Sequence, residues 1–151
     1  MTSHEQMKPC ERSLSETEAE LLLAALMLSG NAHEFHMQLP LLQVNAESTT
    51  SWPILEFTVF AEPTSPGRGM RNLADFQYKT DSGLLGFFVY ERNGLLAGME
   101  CWSIDGKVDP EAWPNVAALS PLQADTHNSS RKVTPFDRWT PRKSGAHKRG
   151  R

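Results

Sequence analysis

The feature that most constrains the fold is the dipeptide Asn93-Gly94, which separates two apolar runs between residues 84 and 104. A type I′ turn needs positive φ at both of its central residues, and Asn followed by Gly accepts that geometry readily. The sequence therefore predicts a β-hairpin with strands near residues 84–91 and 96–104. Its residue types are those of strand pairing and packing, not of chemical reactivity.

A two-residue turn also fixes the register of the predicted hairpin. The turn places Arg92 opposite Leu95, and an uninterrupted ladder then sets the remaining pairs: Tyr90 with Ala97, Phe88 with Met99, and Gly86 with Cys101. In this register both faces of the hairpin are apolar. Two apolar faces are typical of a central hairpin that is covered on both sides, or covered on one side and used for a contact on the other.

A helix is predicted to start at Ser15 and to end at Ser29-Gly30. Ser15 and Glu18 have the spacing of a capping box, in which the side chain of each accepts the backbone amide of the other. Gly30 tolerates the left-handed conformation that often follows a helix. Residues 21–28 are apolar nearly all round, which predicts burial of this helix against a sheet.

These elements predict an α+β fold, in which the N-terminal helix packs on an antiparallel sheet with a central β-hairpin. Residues 54–60 add a strand, because apolar and polar side chains alternate there. A length of 151 residues suits one domain, which we place at residues 14–121. We expect a flexible N-terminus over residues 1–13. We also expect a disordered basic tail over residues 122–151, which lack apolar periodicity.

Charge is divided unevenly along the chain. Residues 131–151 hold eight Lys and Arg against one Asp, which gives a net charge of +7. The remaining residues hold seven basic and seventeen acidic side chains, a net charge of −10, so that the whole chain carries −3. This division indicates an acidic body joined to a basic tail.

The number of cysteines and the position of the apolar run indicate in which cellular compartment the protein is found. Cys10 and Cys101 are too few for a disulfide scaffold. The apolar run over residues 21–28 starts too late and follows acidic residues, unlike a signal peptide, and it is too short to span a bilayer. We therefore expect a cytoplasmic protein with no membrane partner.

Patterns typical of metal binding or catalysis are weak. His33 and His36 are three residues apart, whereas a zinc-binding helix presents two His four residues apart and needs a further ligand. The chain has no Gly-x-Ser-x-Gly motif and no phosphate-binding loop. The sequence thus predicts no metal site, no cofactor and no catalytic residue. Glu100 lies in an apolar strand, where a carboxylate is either a structural hydrogen-bond acceptor or part of a functional site.

The run from Gly94 to Gly106, GLLAGMECWSIDG, resembles a known hairpin ending of the form G-x-L-x-x-M-E-x-W-S-x-D-G. That pattern occurs in small uncharacterised bacterial α+β proteins, an immunity-like family that also starts with a helix similar to residues 14–29. The resemblance covers residues 14–121 and leaves the basic tail outside. It implies a small partner-binding protein, and it carries over no catalytic residues.

The leading functional hypothesis is a non-enzymatic, intracellular protein-binding module of the immunity type, which neutralises a toxin. A basic toxin of the nuclease type would be steered toward the acidic body. The candidate partner-binding residues belong to the hairpin and the segment that follows it: Glu91, Glu100, Trp102, Asp105 and Trp113.

Two alternative functions stay open. In the first, the basic tail binds nucleic acid by neutralising phosphate groups. The residues that would do so are Arg131, Lys132, Arg142, Lys143, Lys148 and Arg149. In the second, the protein is a hydrolase that acts through Glu100 and Asp105.

Overall fold

The computed structural model describes residues 6–122 of the protein. The basic tail predicted by the sequence therefore lies outside the described residues, apart from its first residue, Leu122. Within the described range the predicted α+β class with an antiparallel sheet is confirmed.

The described residues form seven strands, two α-helices and two 3₁₀ helices. The strands are β1 (Met7–Arg12), β2 (Leu42–Ser48), β3 (Ile54–Val59), β4 (Met70–Lys79), β5 (Leu84–Arg92), β6 (Leu95–Ser103) and β7 (Ser120–Pro121). The helices are α1 (Glu16–Leu28) and α2 (Ala32–Phe35), with 3₁₀ turns at His36–Leu41 and Val116–Ala118. All strands pair antiparallel, in the order β1-β2-β3-β6-β5-β4-β7, so β6 and β5 lie in the interior of the sheet.

The start of the chain differs from the prediction. Met7–Arg12 was expected within a flexible N-terminus but forms the edge strand β1 on β2. Arg12 anchors this strand, because its guanidinium binds Glu18 of α1 at 2.8 Å and Glu47 of β2 at 2.9 Å. The prediction was wrong because these partners become neighbours only in the folded protein: Glu47 is 35 residues away along the chain.

Helix α1 begins with the capping box that the sequence predicts. The Glu18 amide donates to Ser15 Oγ at 3.1 Å, and the Ser15 amide donates to Glu18 Oε1 at 2.9 Å. Each bond satisfies an amide that the helix itself leaves unpaired. The buried side of α1 packs on the sheet through four side chains: Leu21, Leu22, Ala25 and Leu26.

The turn at Asn93 and Gly94 connects β5 to β6, with φ of 56° and 90° at the two residues. The uninterrupted register predicted from this turn is wrong beyond Leu96. Ala97 is an extra residue on β6, and a β-bulge of this kind sends the side chains that follow to the opposite face. As a consequence, Met99 and Cys101 lie on the face of the sheet that packs against α1, which we call the helix-bearing face. Glu100 and Trp102 lie on the opposite face.

Two pairs, each of a glycine and an aromatic residue on the neighbouring strand, explain why the bulge forms. Tyr90 lies directly opposite Gly98, and Trp102 lies directly opposite Gly86. A Cβ atom at Gly98 would collide with the Tyr90 hydroxyl and lie 2.7 Å from the carbonyl oxygen of Leu55, and a Cβ atom at Gly86 would overlap the Trp102 indole. Each ring therefore lies across a glycine, whereas the predicted register would place both rings opposite residues with a side chain.

The two faces of the sheet are buried in different ways. The helix-bearing face packs against α1 and forms the main core. The opposite face, which we call the helix-free face, carries a second cluster of Phe88, Tyr90, Ala97 and Trp102, bordered by Met70, Ile104 and Leu122. Among the residues that the structure describes, this second cluster contains none from a helix.

Substitutions at Asn93 test the turn. Asn93 Oδ1 accepts from the Gly69 amide at 2.7 Å, so Asn93→Gly keeps the left-handed backbone but loses this bond, at about 1 kcal/mol. Asn93→Ala loses the bond and also strains the positive φ, which adds about 1–2 kcal/mol. Urea unfolding should therefore rank stability as wild type, then Asn93→Gly, then Asn93→Ala. Equal stability of the two variants would contradict the role of the turn geometry.

Candidate partner-binding surfaces

Glu91, the first predicted partner-binding residue, is fully buried at the end of β5. Its carboxylate is bound by Arg68 at 2.6 Å and by Arg71 at 2.5 Å, and it accepts the Gly94 amide. Burial acts to raise the pKa of Glu91, but these hydrogen bonds outweigh it and hold the pKa below its usual value. Glu91 therefore ties the loop before β4 to the hairpin turn, and it offers no surface to a partner.

Glu100 and Trp102 lie together on the helix-free face. They are two residues apart on β6 and are 4% and 7% exposed. Phe88 is the cross-strand neighbour of Glu100, and it stacks at a tilt on Tyr90 with ring centroids 5.8 Å apart. The structure thus sets a carboxylate beside three aromatic rings.

Asp105 and Trp113 lie elsewhere. Asp105 is exposed after β6, where its carboxylate accepts the amides of Lys107 and Leu84; the Lys107 amide is the main cause that lowers its pKa. Trp113 packs edge-on against Phe87 of the main core, with ring centroids 5.9 Å apart. Only Glu100 and Trp102 of the five predicted residues are therefore brought together on one face.

Asp75 of β4 is a residue of the helix-free face that the sequence analysis does not identify. Its strand partner is Phe88, and its Oδ2 accepts from the Asn72 side chain at 3.3 Å. Burial raises the pKa of Asp75 to about 7. Alternation of apolar and polar residues over 74–79 is the signal that would have placed Asp75 opposite the main core.

An open groove lies between β1, β2 and the segment before β3, with a volume of about 200 Å³. Its charged residues are Arg12, Glu18, Glu47 and Glu111, and two indoles, Trp52 and Trp113, also line it. Arg12 already binds both Glu18 and Glu47, and its hydrogen bond to Glu18 is the main cause that raises its pKa. Three of these four charges therefore serve to join β1, α1 and β2.

The helical layer exposes large apolar side chains, which we call the helical apolar surface. They come from α1, the 3₁₀ turn at His36–Leu41 and the residue that follows β3, with exposures from 38% to 69%: Leu23, Met27, Leu28, Met37, Leu41 and Phe60. The Phe60 amide donates to the Leu41 carbonyl at 2.9 Å, which joins the last two. Scattered apolar residues are normal on protein surfaces, whereas a contiguous apolar patch marks a contact site.

The solvent side of α1 combines this apolar surface with acidic charge. Exposed residues recur at the spacing of one helix face, in the order Glu16, Glu20, Leu23 and Met27. Residues 13–67, which include the whole helical layer, hold seven Glu and no Lys or Arg. This stretch of 55 positions without a basic residue can be seen in the sequence alone, and it indicates that the helical layer carries only acidic charges.

Residues 6–122 contain no assembled metal site. No cluster of three or more His, Cys, Asp and Glu side chains in this range has the arrangement of a metal site. Cys101 is fully buried, and burial raises the pKa of its thiol well above the usual value. In this part of the chain, none of the helices is both long and apolar enough to cross a membrane.

Comparison with known proteins gives no relatives. The chain matches no protein-family model, no curated protein and no solved structure at a significant level.

The pH dependence of stability tests the burial of Asp75. The folded protein retains a proton on Asp75 that the unfolded chain releases between pH of about 4 and about 7, so stability falls as the pH rises through this window, by at most about 4 kcal/mol. Asp75→Asn should remove this fall in urea unfolding measured across the window. Asp81→Asn, at an exposed carboxylate, is the control that should keep it. An unchanged pH slope in Asp75→Asn would contradict the assignment.

Proposed function

We propose that the protein is a non-enzymatic protein-binding module of the immunity type, which docks its helical layer on a basic protein partner and neutralises it. The observation that carries this proposal is the solvent side of α1, where two exposed Glu precede Leu23 and Met27 on one helix face. A toxin that acts on nucleic acid fits this chemistry, because it needs a basic surface to bind phosphate.

The charge of the described body supports a basic partner. Residues 6–122 hold seven Lys and Arg against fifteen Asp and Glu, a formal net charge of −8. The helical layer contributes only acidic charges to this balance. Complementary potentials accelerate encounter and discourage acidic competitors, so charge here selects the class of partner.

The exposed apolar side chains supply apolar surface that a partner can bury, which charged residues alone do not supply. Two of them, Met27 and Met37, are 62% and 69% exposed. Methionine is unbranched and polarisable, so it adapts to the surface of a partner. An apolar centre with a charged rim is the usual composition of a specific interface, and the acidic residues Glu16 and Glu20 supply part of that rim.

The first test uses the full chain as bait in cells of the source organism, and a toxin encoded by a neighbouring gene is the first candidate partner. We expect the recovered protein to be basic and to bind the purified full-length chain with a Kd that rises with salt concentration. Leu23→Gln with Met27→Gln should raise the Kd by about tenfold or more, as expected for apolar residues at the centre of an interface. Gln has a helix propensity similar to those of Leu and Met, so α1 is preserved.

Ser82→Gln is the control, because Ser82 is an exposed residue of the turn between β4 and β5, outside residues 13–67. This variant should bind the partner as the wild type does. Glu16→Gln with Glu20→Gln should slow association and reduce the salt dependence. The proposal fails if the double apolar variant and Ser82→Gln bind equally well. It also fails if binding is carried by nucleic acid and disappears after nuclease treatment.

A further inference from the structure

The groove between β1, β2 and the segment before β3 contains one carboxylate that the fold does not use. Of its three Glu residues, Glu18 and Glu47 are bound by Arg12. The third, Glu111, is exposed, and its side chain makes no ion pair or hydrogen bond within residues 6–122. The groove therefore presents one negative charge that is free to bind a ligand.

Arg12 does not provide a binding site for an anion in this groove. A guanidinium has five N–H donors. Those of Arg12 make five hydrogen bonds of 2.8–3.1 Å, to the carboxylates of Glu18 and Glu47 and to the Ser13 carbonyl. An anionic ligand would find no free guanidinium donor here, whereas a cation would find the carboxylate of Glu111. The groove thus favours a cationic ligand.

Two indoles that line the groove are held in place by the fold. Trp52 Nε1 donates to the Cys101 carbonyl at 2.7 Å, and Trp113 packs edge-on against Phe87 with ring centroids 5.9 Å apart. Both side chains are half-buried, so part of each remains accessible. The face of an indole attracts a cation, and a ring that is already fixed loses little freedom when the cation binds.

The size of the groove limits the ligand to a small group. Its volume of about 200 Å³ is below the roughly 300–1,000 Å³ of pockets that hold drug-sized molecules. A guanidinium group suits both the walls and the charge, because it is planar, stacks on aromatic rings and binds a carboxylate through two parallel N–H groups. An ammonium group is more strongly hydrated and lacks the planar surface for stacking.

We propose that this groove binds one guanidinium group, the side chain of an arginine on the basic protein partner. The groove adjoins the first turn of α1 through Glu18, and Glu16 and Glu20 of the same turn region lie on the proposed binding surface. This inference rests on the proposed function for the source of the arginine. The site itself is tested without a partner.

The first test titrates the full-length, isotope-labelled protein with N-acetyl-arginine amide at millimolar concentrations and follows the indole N–H signals by NMR. The signals of Trp52 and Trp113 should shift and saturate with one common Kd, which rises with salt concentration. The Trp102 indole, on the helix-free face, should not move. N-acetyl-citrulline amide has nearly the same shape without the charge, and it should bind at least about tenfold more weakly.

Two variants of one segment locate the charge. Glu111→Gln should raise the Kd for N-acetyl-arginine amide by about fivefold or more, because it removes the free carboxylate. Asp109→Asn is the matched control: Asp109 is also exposed but does not line the groove, so this variant should bind as the wild type does. Equal affinities of the two variants would overturn the role of Glu111.

Three further outcomes would overturn the site. They are the absence of a saturating shift at Trp52 and Trp113, equal binding of the citrulline analogue, and indole shifts that depend on protein concentration without a probe. The last would make a second copy the occupant.

The same pair of variants tests the source of the arginine on the partner recovered with the full chain. Glu111→Gln should raise the Kd of that complex, and Asp109→Asn should leave it unchanged. If Glu111→Gln weakens binding of the probe but not of the partner, the guanidinium comes from a free small molecule and the assignment to the partner is wrong. The probe titration does not involve Leu23 or Met27, so failure of the site and failure of the proposed function can be told apart.

Discussion

The packing of two aromatic rings across two glycines organises the centre of the sheet. Tyr90 opposite Gly98 and Trp102 opposite Gly86 leave no room for a Cβ atom beneath either ring. Strand β6 satisfies both pairs only by adding one residue at Ala97. Because side chains alternate along a strand, this single addition decides which residues of β6 enter the main core and which face the other way.

The buried ion pair of Glu91 is a second constraint on the hairpin. Its carboxylate binds Arg68 and Arg71 and accepts the Gly94 amide, so the loop before β4, the strand β4 itself and the turn meet at one charge. Removal of one partner from such a pair leaves an uncompensated buried charge, which is strongly destabilising. Glu91, which the sequence predicts to be a partner-binding residue, is thus used within the fold.

The two faces of the sheet differ in the layers and side chains that lie on them. The helical layer turns acidic and apolar side chains to solvent. The helix-free face buries its aromatic rings next to the carboxylates of Asp75 and Glu100.

The sequence by itself determined the features that depend on near neighbours. The capping box of α1, its buried apolar side and the α+β class follow from contacts a few residues apart or from simple periodicity. Tertiary structure alone decided the strand β1, the bulge at Ala97 and the separation of the five predicted residues. These depend on partners far apart in the chain, such as Arg12 with Glu47, or on ring packing across strands, and no local pattern encodes which atoms will meet.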